Sequence, residues 1–145
     1  MICVVDASVA AKWFLEEPLR DEALRILDEA PNLLAPDWIV QEIAHVAFKK
    51  WRAHDIGPQQ ARIMVQALEG FIGRLHPSKD LAGHALEIAL TLDHPVYDCL
   101  YLACARVASG VVITADEDFC AVVKGTEFAP LMRYLGDMDF PQQNP

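Results

Sequence analysis

The sequence predicts an α/β domain built on a short, mostly parallel central sheet of about four or five strands, flanked by helices on both faces. Two observations carry this. Apolar runs of strand length (MICVV at 1–5, LLA at 33–35, VVIT at 111–114) alternate with longer stretches whose apolar residues recur every three or four positions. Breaks rich in Pro, Gly and Asp separate these segments, among them Pro18, Pro31, Gly57-Pro58, Asp93-His94-Pro95 and Gly110.

Taken in order, residues 1–5 form a buried strand that ends at Asp6. Ser8 is placed to cap a helix through Val9, Ala10, Trp13 and Phe14, which Pro18 ends by about residue 16. Ala23, Leu24, Ile26 and Leu27 give residues 20–30 helical spacing, and 33–35 is a strand edge. Residues 38–54 form a helix with Ile39, Ile43, Val46, Ala47 and Trp51 in phase, and Gly57-Pro58 breaks the pattern. A helix over 59–72 carries Ile63, Ala67 and Phe71 on one face, a short strand follows at 75–76, and 79–92 is helical. The apolar stretch opened by VYDCLYLACA makes a helix over 96–108, and VVIT is the most β-like segment in the chain. A short helix over 116–123 and a last strand within 131–135 complete the domain, which is assigned to 1–135 with a polar tail at 136–145.

At 145 residues, 53% hydrophobic and 23% charged, the chain has the makeup of one globular domain. No uncharged apolar run approaches the roughly 20 residues that a bilayer requires. MICVVD lacks the basic start of a signal peptide, so a cytoplasmic protein with no membrane partner is expected. The four cysteines show no CxxC pair and sit in apolar segments, as free buried thiols do. The formal net charge of −9 weighs by itself against a nucleic-acid partner.

The acids change that balance. Asp6 and Asp116 follow the two best strands, and carboxyl ends of parallel strands are where α/β sheets place their sites. Glu42 lies between Ile39 and Val46 on the inner side of its helix, and Asp98 sits in the first turn of the most apolar one. Singly, Asp6 and Asp116 have the position of helix caps and Asp98 that of a dipole partner. Together, four converging carboxylates would repel strongly without a cation, and hard oxygen donors match Mg²⁺ or Mn²⁺. Such ions act on phosphates, which makes phosphodiester hydrolysis the natural chemistry. Lys49, Lys50, Arg52 and Arg62 against Asp55 alone form a local basic stretch that follows Glu42 and could track a phosphate backbone, although a solvated helix end reads the same way.

VVDASVAAKWF, Glu42 within WIVQEIAHVAF, YDCLYLACA and VITADEDF together resemble the PIN domain, and more closely the VapC toxins of toxin–antitoxin pairs, from residue 2 to about 135. The resemblance implies a Mg²⁺-dependent ribonuclease, with Mn²⁺ as substitute and one or two ions. It puts the acidic quartet on Asp6, Glu42, Asp98 and Asp116, with Asp6, Asp98 and Asp116 holding metal and Glu42 completing the site or orienting water. Ser8 and Thr114 become supporting hydroxyls. Asp118 either assists Asp116 or faces solvent, and Lys12 is either a phosphate contact or a surface lysine. The resemblance further implies a homodimer, a cognate antitoxin that occupies the active-site groove, and tRNA or ribosomal RNA as target. Two alternatives stay open: a non-catalytic binding module of the same fold, and a receiver-like signalling domain, which would need paired acids after the first strand where this chain has Asp6-Ala7.

Overall fold

The computed structural model describes residues 1–30 and 32–139. Strand β1 (Cys3–Val5) leads into helix α1 (Ala7–Ala10) and a 3-10 turn, Ala11–Trp13. There follow α2 (Arg20–Glu29), β2 (Leu33–Pro36), α3 (Ile39–Arg52), α4 (Pro58–Phe71) and β3 (Arg74–His76). The second half comprises α5 (Ser78–Leu92), α6 (Val96–Ala108), β4 (Val111–Thr114), α7 (Glu117–Val123) and β5 (Met132–Tyr134).

The strands form one sheet in the order β3-β2-β1-β4-β5, and every neighbouring pair is parallel. β1 and β2 are buried along their whole length, as strands covered on both faces must be, which explains their unbroken apolar runs. From β1 the chain steps outward to β2 and β3, then crosses back to β4 and on to β5. Right-handed crossovers therefore put α1 to α4 on one face and α5 to α7 on the other. The direction reverses between β1 and β4, so a crevice opens beyond the carboxyl ends of those two strands.

The middle of helix α6 is apolar on all sides because it is covered on all sides: residues 99–105 are buried without exception, between α5 and the centre of the sheet. Its boundaries, and those of β4, match the sequence expectation. The first helix departs from it. Asp6, not Ser8, occupies the N-cap position, and the α-helix ends at Ala10, where the backbone tightens into the 3-10 turn. The Ser8 hydroxyl is not available as a cap because it bonds to Asp6. At the other end Leu135 is fully buried and opens a 3-10 turn through Asp137, while 140–145 of the expected tail lie outside the described residues. All four cysteines are free, with Cys3, Cys99 and Cys104 buried.

Gly110 shows how tightly β4 is joined to β1. Its neighbour Val111 donates its N–H to the Ile2 carbonyl at 3.0 Å, and a Cβ built on Gly110 would lie 2.5 Å from that same oxygen. Backbone blocks backbone here, so Gly110→Ala should cost roughly 1–3 kcal/mol as the strand is forced aside. A urea melt of the variant checks this, and an unchanged midpoint would mean that β4 can shift freely.

Candidate active site

The crevice between β1 and β4 is built around Asp6. Its backbone N–H donates to the Ile113 carbonyl at 3.0 Å, pinning the end of β1 against β4. Its side chain does not cap α1 but accepts, on Oδ2, the Ser8 and Thr114 hydroxyls, each at 2.7 Å. Both hydroxyl protons are thereby committed, so the 3.3 Å contact between Ser8 Oγ and Thr114 Oγ1 is not a further hydrogen bond. Each hydroxyl instead accepts a backbone N–H from the chain after β4: Ala115 to Ser8 Oγ at 2.9 Å and Asp116 to Thr114 Oγ1 at 3.1 Å. Asp6 and Thr114 are the buried polar side chains among the described residues.

Three more carboxylates interact with this one or with each other. Burial is the main force raising Asp6 to about 6; the two hydroxyls pull it back, and the charges of Asp98 and Asp116 push it up again. Glu42, in the first turn of α3, is raised to about 7 by burial and by the charges of Asp6 and Asp98. The Tyr101 hydroxyl donates to Glu42 Oε1 at 3.0 Å and favours its ionised form. The phenol itself is held well above its ordinary range by burial, so it remains a donor. The Trp38 indole stands one turn before Glu42, and its Nε1 is buried without a hydrogen-bond partner among the described residues.

Asp98 and Asp116 are each positioned from outside the cluster. His94, between α5 and α6, places Nε2 2.7 Å from Asp98 Oδ2, and its ring stacks on Phe119 of α7 at 5.3 Å and 9°. The backbone N–H of the same Phe119 donates to Asp116 Oδ1 at 3.1 Å. Asp116 is therefore a helix cap and a member of the acidic group at once. Glu117 is turned away to accept the Tyr134 hydroxyl at 3.2 Å, and Asp118 is exposed.

The structure thus brings Asp6, Glu42, Asp98 and Asp116 together, with Ser8 and Thr114 supporting Asp6. The basic residues are more dispersed. Lys12 and Lys50 both pair with Glu17, at 3.4 and 3.5 Å, beside a cleft of about 290 Å³ that Ser8 and Lys49 also line. Lys49 and Arg52 are exposed, the Arg52 guanidinium lying 5.6 Å from the Phe48 ring centroid. Three partners were not foreseen. His94 is four residues from Asp98, but Pro95 between them reads as a break; Tyr101 and Trp38 read as core, with no sign of the carboxylate each serves.

The donor set is entirely oxygen, around one buried acid, and the charges of its neighbours raise the pKa of Asp6 and of Glu42; that chemistry fits a hard divalent cation. Among the described residues no three His, Cys, Asp or Glu side chains close tightly enough to enclose an ion unaided.

Residues 3–125 match the family model described as PIN domain. Ribonuclease VapC3 of Pyrobaculum aerophilum is 30% identical over 129 residues, which span 85% of this chain and 98% of that protein. The crystal structure of PAE2754 from Pyrobaculum aerophilum shares the fold with a TM-score of 0.66 at 17% identity, covering 94% of this chain and 85% of that one. The parallel sheet, the acids at its switch point and a match over most of the length agree: the chain belongs to the PIN-domain family, among its VapC-type members.

Proposed function

We propose that the protein is an endoribonuclease that hydrolyses RNA phosphodiester bonds with Mg²⁺ or Mn²⁺, and that it is the toxin of a toxin–antitoxin pair. The observation that carries this reading is the buried Asp6 carboxylate, fixed by two hydroxyls and faced by three further acids. The likeness to a protein named as a ribonuclease supports it. Its partners are RNA of the tRNA or ribosomal class, a cognate antitoxin and a second copy of the chain, and its place is the cytoplasm. No helix among the described residues is long and apolar enough to cross a membrane.

Asp6, Asp98 and Asp116 hold one or two ions, directly or through water. When bound, the metal supplies Lewis-acid stabilisation of charge on the phosphoryl and leaving oxygens. Glu42 completes the site or orients the attacking water. Tyr101 fixes one oxygen of that carboxyl. Ser8 and Thr114 keep Asp6 from turning, and His94 does the same for Asp98. Lys49 and Arg52 meet the phosphate backbone from α3, and Lys12 and Lys50 exchange Glu17 for phosphate as RNA arrives.

Asp98→Asn should abolish Mn²⁺-dependent cleavage of RNA by the purified protein while leaving thermal stability equal or higher, because one repelling charge is gone. Full cleavage by the variant would sink the metal-holding role. The pH dependence of the metal-free protein is also fixed in sign. Asp6 and Glu42 have folded pKa values of about 6 and about 7, above their ordinary 3.8 and 4.5, so the native state binds more protons and loses stability as pH rises from about 4 to 7. Urea melts in EDTA should show that decline, Mn²⁺ should reverse it at pH 7, and Asp6→Asn should recover roughly 1–3 kcal/mol there. Finally, His94→Ala should weaken Mn²⁺ binding about 10- to 100-fold in calorimetric titration, the usual consequence of removing a group that orients a ligand.

A further inference from the structure

Trp38 and Tyr97 form a stacked pair, with ring centroids 4.6 Å apart and planes only 12° from parallel. Each ring is next in the chain to an acid of the site: Tyr97 precedes Asp98 in the first turn of α6, and Trp38 is the N-cap residue of α3, one turn before Glu42. The backbone under Trp38 is fixed, its N–H donating to Ser78 Oγ at 2.9 Å while the Ser78 N–H donates to Asp37 Oδ1 at 3.0 Å. Trp38 is half-buried, whereas Tyr97 is 58% exposed and has no hydrogen-bond partner among the described residues. One face of its ring lies on the indole and the rest is open.

We propose that Tyr97, backed by Trp38, is the platform on which an unpaired base of the RNA stacks next to the bond to be cut. The proposal rests on the ribonuclease reading and adds the form of substrate. A phosphate at the carboxylates brings its own nucleotide's base close by, and the residue next to Asp98 is an exposed aromatic ring stacked on Trp38. Stacking on such a ring accepts any base, because every base has a π-face, but needs a base that is not stacked within a duplex. The platform therefore selects single-stranded loops or ends over helices, and does so by ring face rather than by hydroxyl.

The test compares wild type, Tyr97→Ala and Tyr97→Phe as full-length proteins with Mn²⁺, on a single-stranded RNA carrying 2-aminopurine and on the same sequence as a duplex. Tyr97→Ala should raise KM for the single strand about tenfold, within the 5- to 150-fold that one stacked base is worth, with kcat changed far less. It should also lose the 2-aminopurine quenching that wild type and Tyr97→Phe both show. Tyr97→Phe should stay within about twofold of wild type. The ring is exposed, so Tyr97→Ala should melt as wild type does, and Tyr97→Phe tests the same surface should it not. Unchanged KM and quenching in Tyr97→Ala would overturn the platform and leave the ribonuclease reading intact. So would loss of dimer in gel filtration with RNA binding unchanged, which would assign the ring to contact between copies. A defect in Tyr97→Phe equal to that of Tyr97→Ala would also overturn it, in favour of the hydroxyl. Absence of RNA cleavage by wild type would sink the underlying reading itself.

Discussion

Two hydroxyls converge on one oxygen of a buried carboxylate, and the rest of the site is arranged around that contact. Asp6 lies in the interior at the end of β1, where an unpaired charge would be severely penalised. Ser8 and Thr114 meet that penalty on Oδ2, and because their own lone pairs accept from Ala115 and Asp116, the same two hydroxyls tie β1 to the chain leaving β4. The junction of the two strands and the centre of the acidic group are therefore one structure.

Around it, each of the other acids is held by a named partner. Glu42 of α3 is held by Tyr101 of α6, Asp98 of α6 by His94 from the turn before it, and Asp116 by the N–H of Phe119. Phe119 serves twice, since its ring also backs His94, so the spacing of Asp98 and Asp116 passes through a single residue of α7. The arrangement stores repulsion: Asp6 and Glu42 are both driven toward their protonated forms by neighbouring carboxylates as well as by burial. The metal-free protein therefore loses stability as pH rises through the range in which these two carboxyls ionise.

Much of this was legible in the chain. The alternation of apolar runs with helical periods gave each strand and helix within a few residues, because burial on a parallel sheet demands continuous apolar strands and a surface helix demands a stripe. The stripe itself was misplaced in α4, where Met64 and Leu68 are buried while Ile63 and Phe71 of the expected face are exposed. The four acids stood out for the complementary reason: each is a charge where the local pattern calls for an apolar residue. The first helix was misjudged because Ser8 has the local credentials of a cap, and only the fold presents it with a better partner in Asp6. Asp116, conversely, was weighed as either cap or site acid and is both.

By itself the sequence determined the fold class, the order of its elements and the identity of the acids, since these follow from hydrophobic period and local composition. It could not determine which groups hold those acids in place. Thr114 reaches Asp6 across 108 residues and Tyr101 reaches Glu42 across 59, separations at which no local pattern carries information. The reversal of strand order between β1 and β4 was likewise a tertiary decision, and it is the reversal that opens the crevice where the four carboxylates meet. Hydrophobic patterning acts along the chain, whereas hydrogen bonds and charge repulsion act through space, so the first could be read in order and the second only once the sheet had closed.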